Sequence, residues 1–202
     1  IIGLPARTLI KVHGHKIEVI TDKEVVESVE SDDPLTFIEA FQARFNVTET
    51  EGLPRFFGGL VGYFGYDTVR YVEKKLANST PKDTLNTPDI VLMVSEEVVV
   101  FDNLKGRMQM ISLVDPDVPN SINDMQNKLR ARAESLSLPV TGVEHGTANQ
   151  VIVESDFVSE FGEDAFKAAV EKIRDYTMDG DIMQVVLAQR MSIPFQAPSI
   201  NL

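Results

Sequence analysis

Apolar and polar side chains alternate along residues 6–20, which predicts extended structure near the start of the chain. The alternation slips by one position at Gly14, within the apolar set Ile10, Val12, Ile17 and Val19. Because a glycine at a phase slip is typical of a β-bulge, we expect one bulged strand here. After a turn at residues 21–23, the valines of residues 25–29 predict a returning strand.

Two amphipathic helices are predicted to lie across this sheet. The first begins after Asp33, a favourable N-cap residue, with Pro34 at the first helical position. Its apolar stripe runs to Phe45. The second spans about residues 119–136, where apolar residues recur at helical spacing.

Strand-forming residues at 90–101 and 108–114 flank the turn sequence Asp-Asn-Leu-Lys-Gly, which predicts a hairpin. Farther along, residues 162–178 predict a helix, and residues 182–193 are apolar on both faces. A strand of that kind is typical of the centre of a sheet and needs neighbours on both sides. Since few residues follow it, we expect the chain to stop inside a second domain.

Together these elements predict an α+β fold, in which an antiparallel β-sheet scaffold of hairpins carries packed helices. Residues 139–150 are rich in loop-forming residues, so we place a linker at residues 139–155. The first domain then comprises residues 1–138, and residues 156–202 begin the second. Because the chain starts with Ile-Ile-Gly and not with Met, we expect its own N-terminus to be missing.

Charge and composition narrow the range of functions. The chain of 202 residues carries a net charge of −12, which disfavours binding to nucleic acid or to anionic membranes. No apolar run is long enough to cross a bilayer. The chain has no cysteine, which excludes disulfides, thiolate catalysis and zinc–sulfur sites. That composition is compatible with the cytoplasm, where we expect the protein.

Residues 58–67, GGLVGYFGYD, combine glycines with aromatic residues and invite comparison with phosphate-binding loops. The glycine spacing fits neither the dinucleotide-binding pattern nor the P-loop, and strand-forming residues separate the glycines. We interpret the segment as a tightly packed, buried strand in which missing side chains let a neighbouring backbone approach. Asp67 is expected to cap the helix that follows. The residues of this signature are Gly58, Gly59, Gly62, Tyr63, Tyr66 and Asp67.

Histidines form one further candidate site. His13 and His15 lie two positions apart on a predicted strand, so both could reach one metal ion. Zinc would need further ligands, and Glu18 is expected on the opposite face while His145 lies in the linker. Two solvent-facing histidines are therefore the better interpretation.

Acidic residues form the remaining candidates. Residues 175–180 resemble half of a calcium loop, but Val186 occupies the position of the required glutamate, so a helix C-cap at Gly180 explains them better. Two acidic pairs do not suit acid–base chemistry, because one pair points to opposite faces of a strand and the other lies at a helix start: Glu96-Glu97 and Glu163-Asp164. The sequence thus predicts no catalytic site in this segment.

Residues 52–73, GLPRFFGGLVGYFGYDTVRYVE, resemble the signature of the N-terminal domain of the anthranilate synthase component I family, which uses chorismate. Residues 88–106, PDIVLMVSEEVVVFDNLKG, resemble the hairpin that follows it in that family. Residues 179–195, DGDIMQVVLAQRMSIPF, resemble the start of the family's chorismate-binding domain. The resemblance covers nearly the whole chain.

The resemblance implies an enzyme that adds ammonia to chorismate and releases pyruvate, giving anthranilate, in the first dedicated step toward tryptophan. It implies Mg²⁺ as cofactor, a glutamine amidotransferase subunit as the source of ammonia, and tryptophan as feedback effector. In the family, the catalytic, substrate-binding and metal-binding groups belong to a region beyond Leu202. The resemblance therefore implies a segment without them, inactive by itself.

Two alternatives stay open. The large component of aminodeoxychorismate synthase shares the glycine–tyrosine core of the signature, although the longer string through Tyr71, Val72 and Glu73 favours anthranilate synthase. The segment could instead be a non-catalytic regulatory or assembly module that binds a small amino acid or a partner subunit.

Overall fold

The computed structural model describes residues 3–48, 50–139 and 152–195. The chain divides into two compact units, residues 1–138 and residues 139–202. Most of the predicted linker, residues 140–151, lies outside the described residues. The assignment of the two parts as an N-terminal domain and the beginning of a chorismate-binding domain therefore stays a prediction.

A five-stranded antiparallel sheet forms the centre of the first unit, with the strand order β3-β2-β1-β5-β4. Its first three strands follow one another as hairpins, whereas β4 and β5 are joined by the long connection 65–89. The bounds are Thr8–His13 for β1, Lys16–Thr21 for β2, Glu24–Glu30 for β3, Gly59–Phe64 for β4 and Ile90–Ser95 for β5. The predicted antiparallel sheet of an α+β fold is confirmed.

The prediction of one bulged strand over residues 6–20 is wrong, because the chain reverses at Gly14 and His15 to form β1 and β2. Gly14 has a φ of +57°, a left-handed conformation that glycine adopts at little cost. A two-residue turn shifts the apolar alternation in the same way as a bulge, so the pattern alone does not separate the two. A register shift does occur, but between Val19 and Ile20 in the pairing of β2 with β3.

Helix α1 (Pro34–Gln42) covers one face of this sheet and closes the hydrophobic core. As predicted, Asp33 is its N-cap, and the Asp33 carboxylate accepts a hydrogen bond from the Thr36 amide at 3.1 Å. Burying one large apolar side chain such as Phe41 stabilises the fold by about 2 kcal/mol. The core consists of Ile10, Val12, Ile17, Val19, Ile38, Phe41, Ile90, Leu92 and Val94.

Residues 90–101 were predicted to form one strand. They form two strands in two different sheets, because the chain leaves the main sheet at Glu96. Strand β6 (Glu97–Asp102) then pairs with β7 (Arg107–Ser112), which confirms the predicted hairpin turn. Before it, the connection 65–89 contains the short helix α2 (Val69–Val72) between two single 3₁₀ turns. Helix α3 (Ser121–Leu136) confirms the second predicted helix, but it has no buried residue and adds none to the core, so its predicted packing across the main sheet is not confirmed.

Glu97, at the base of the hairpin, forms ion pairs with helix α3. Its carboxylate contacts Lys128, and its second oxygen lies 2.9 Å from the Arg132 guanidinium. The Glu97 side chain is only 24% exposed, whereas both cations are about half exposed. Such partly solvated pairs stabilise a structure by up to about 1 kcal/mol, so they orient the helix more than they hold it.

The second unit contains helix α4 (Glu163–Met178) and a two-stranded ribbon of β8 (Val158–Ser159) and β9 (Met191–Ser192). The prediction of a central strand over residues 182–193 is wrong for the described residues. Only β9 of that segment pairs, and Met183 is 99% exposed. An apolar pattern produces a strand only where neighbouring strands satisfy its backbone, and the described residues supply none for residues 182–190.

Candidate functional site

The signature segment forms β4 and the turn after it, on the outer edge of the main sheet. The prediction of a strand is confirmed, but the prediction that this strand is buried is wrong, because none of its residues is buried. One side of β4 pairs with β5, and no other strand among the described residues pairs with its opposite side. The aromatic residues of β4 are exposed, Tyr63 by 44% and Phe64 by 54%, and Tyr66 in the turn after it is 91% exposed.

Two glycines of the segment lie directly against the backbone of the β5 region. A Cβ atom added to Gly62 would lie 1.8 Å from the carbonyl oxygen of Val91 and 2.9 Å from the Cα of Leu92. At Gly65, the added atom would lie 2.9 Å from the carbonyl oxygen of Asp89. These are main-chain atoms that cannot move without displacing the strand. The predicted close approach of a neighbouring backbone is confirmed.

The other signature residues have structural contacts. Gly58 precedes the strand, and a Cβ atom there would lie 2.7 Å from a methyl group of Leu113, while Gly59 is the first residue of β4. The Tyr63 hydroxyl donates to the carbonyl oxygen of Pro88 at 2.8 Å. Tyr66 begins the 3₁₀ turn that follows β4.

Asp67 does not cap a helix, contrary to the prediction. Its carboxylate lies 2.6 Å from Nε of Arg70, whose side chain is only 17% exposed. Arg70 also donates to the carbonyl oxygen of Leu76 at 2.6 Å and to the Ser79 hydroxyl at 3.1 Å. One guanidinium therefore holds the turn, α2 and the residues after it together. The capping prediction failed because the chain enters a 3₁₀ turn at Tyr66, before Asp67.

Asp89, directly before β5, is the centre of a hydrogen-bond network that the sequence analysis missed. Its carboxylate accepts from the Gly14 amide at 2.7 Å and lies 2.9 Å from the Tyr71 hydroxyl. Its backbone amide donates to Val12 at 2.8 Å, and its carbonyl accepts from Gly65 at 2.7 Å. We name Asp89, Tyr71 and Gly14 the Asp89 network.

Tyr71 occupies the partly buried side of the Asp89 network. Its hydroxyl lies 2.7 Å from the carbonyl oxygen of Gly14 as well as 2.9 Å from Asp89, so its one hydrogen is shared between two acceptors. Burial, and then the hydrogen bond and negative charge of Asp89, raise the pKa of Tyr71 well above its ordinary value. The phenol is neutral at physiological pH and acts as a donor. This arrangement docks α2 onto the β1–β2 turn.

The predicted metal candidates His13 and His15 flank Gly14 of this network, and both side chains are exposed. His13 ends β1, and His15 lies in the turn with its Nδ1 atom 3.2 Å from the Asp32 carboxylate. His145 is outside the described residues. Across residues 3–48, 50–139 and 152–195, no three histidines, aspartates or glutamates are gathered closely enough to hold a metal ion.

The acidic residues of the second unit have local structural contacts. The predicted C-cap is confirmed, since Gly180 has a φ of +81° and its amide donates to Thr177. The Asp181 amide donates to Tyr176, which completes a Schellman motif. At the other end of α4, Glu163 pairs with Lys167. In the described part of the chain, no helix is long and apolar enough to span a membrane.

Comparison with known protein families classifies the chain. The family model for chorismate binding enzymes matches residues 6–202, a range that includes β4, the Asp89 network and both compact units. The chain belongs to the chorismate binding enzyme family.

Relatives of this chorismate binding enzyme are named anthranilate synthase component 1. The protein from Pseudomonas putida is 47% identical over 204 residues, covering 100% of this chain and 41% of the relative. The Aquifex aeolicus protein is 33% identical over 190 residues, covering 91% of this chain and 37% of the relative. The chain thus spans about two-fifths of the length of these curated relatives.

A solved structure supports the same classification. Anthranilate synthase component I from Streptococcus pneumoniae TIGR4 is 26% identical, with a TM-score of 0.73, and the match covers 100% of this chain and 45% of that one. The resemblance stated from the sequence and the α+β fold are both confirmed.

Replacing Gly62 by Ala is expected to destabilise the first unit by about 3 kcal/mol, because the new methyl group would overlap the backbone of β5. Chemical unfolding followed by circular dichroism measures this. Gly3→Ala is the matched control, since its added methyl would lie at an ordinary 3.5 Å from the Met93 side chain. Equal stability of the two variants would contradict the close-approach interpretation.

Replacing Tyr71 by Phe is expected to lower the free energy of unfolding by about 2 kcal/mol, because Gly14 and Asp89 each lose a hydrogen bond in a partly buried site. Tyr66→Phe, at a 91% exposed position, is the control and should change the stability by less than about 0.5 kcal/mol. An equal effect of the two substitutions would show that the Asp89 network does not hold α2.

The raised pKa of Tyr71 predicts a loss of stability in alkali. Below pH 10.0, the ordinary pKa, the phenol is neutral in both the folded and unfolded states. Above it, the unfolded state releases this proton while the folded state retains it, so the free energy of unfolding falls as the pH rises. The stability difference between the wild type and Tyr71→Phe should therefore narrow above pH 10.0. A constant difference would mean that Tyr71 titrates normally.

Proposed function

We propose that this chain is part of the large subunit of an anthranilate synthase, which converts chorismate and ammonia into anthranilate and pyruvate. The observation that carries the proposal is the 47% identity to a protein named anthranilate synthase component 1, sustained over the whole chain. The aligned residues include the signature segment and both compact units. The reaction is the first dedicated step toward tryptophan.

Within that enzyme we assign this segment a scaffold role. The contacts of β4 and of the Asp89 network are hydrogen bonds and close backbone packing inside the first unit. The chemistry requires a metal ion to hold the substrate carboxylate and an acid or base to move protons. We assign both roles to residues outside this segment.

Three further elements belong to the same proposal. Mg²⁺ is the cofactor of the whole enzyme, and a glutamine amidotransferase subunit delivers the ammonia. The word "component" in the relatives' names supports an assembly of more than one subunit. Tryptophan is the feedback effector of the whole enzyme, and the cytoplasm is its location, which agrees with the absence of cysteine.

Residues 1–202 alone are expected to form no anthranilate from chorismate, ammonia and Mg²⁺. The assay follows the fluorescence of anthranilate, with the Pseudomonas putida relative as the positive control. Circular dichroism of the same sample checks that the segment is folded. Turnover by the segment alone would contradict the proposed scaffold role.

A chimera tests the proposal in an enzyme of full length. This chain replaces the matched 204 residues of the Pseudomonas putida relative, with which it is 47% identical. The chimera is expected to form anthranilate from chorismate, ammonia and Mg²⁺. The same chimera with Gly62→Ala should lose most of this activity through unfolding, whereas Gly3→Ala should retain it.

The product of the enzyme and the ligands of the segment distinguish this proposal from its two alternatives, an aminodeoxychorismate synthase component and a non-catalytic regulatory or assembly module. Formation of aminodeoxychorismate by the native protein that carries this chain would favour the folate-pathway relative over anthranilate synthase. A folded but inactive chimera would show that the scaffold of this chain does not support the reaction. Calorimetric binding of tryptophan or of the amidotransferase subunit to residues 1–202, together with an inactive chimera, would favour a regulatory or assembly module.

A further inference from the structure

We draw no further inference here: the strongest candidate, the uncharged outer edge of strand β4 with its exposed Tyr63 and Phe64, carries nothing because nothing among the described residues shows what covers it.

Discussion

The carboxylate of Asp89 is the interaction on which the first unit depends. One residue, through its side chain and backbone, joins the β1–β2 turn, the start of β5, the end of β4 and α2. A carboxylate that accepts hydrogen bonds away from bulk water forms stronger bonds than neutral acceptors do. It also leaves a costly unsatisfied charge when a donor is removed. Asp89 therefore links elements that are far apart in the sequence. The long connection 65–89 is anchored at both ends, where it leaves β4 and where it enters β5.

The two edges of the main sheet differ in a way that follows from their sequences. Strand β3 has glutamates at positions 24, 27 and 30, and its pairing with β2 contains a register shift. Charges and irregular pairing are the usual protection of an exposed edge against association. Strand β4 has no charged residue in Gly59–Phe64, and its register with β5 is unbroken. Of the two edge strands of the main sheet, only β3 therefore has sequence features that protect it against association.

Local signals made part of this fold predictable. Asp33 and Pro34 predicted the start of α1, the turn Asp-Asn-Leu-Lys-Gly predicted the β6–β7 hairpin, and Gly180 predicted the end of α4. Each of these signals depends on residues within one or two turns of the backbone. Strand order, the break at Glu96 and the edge position of β4 depend on contacts between distant segments, which one sequence does not reveal. Asp89 was missed for the same reason, because its partners lie far from it in the chain.

The glycine-rich segment shows how backbone geometry separates two interpretations of one pattern. A phosphate-binding loop needs several amide groups that converge on one anion. Residues of β4 are instead extended and paired with β5 from Gly59 to Phe64, so their successive amides point to opposite sides of the strand. Gly62 is packed against the Val91 carbonyl, whose oxygen carries a partial negative charge and is unfavourable for a phosphate. In this chain, the glycine-rich segment is therefore explained by a constraint on packing between β4 and β5.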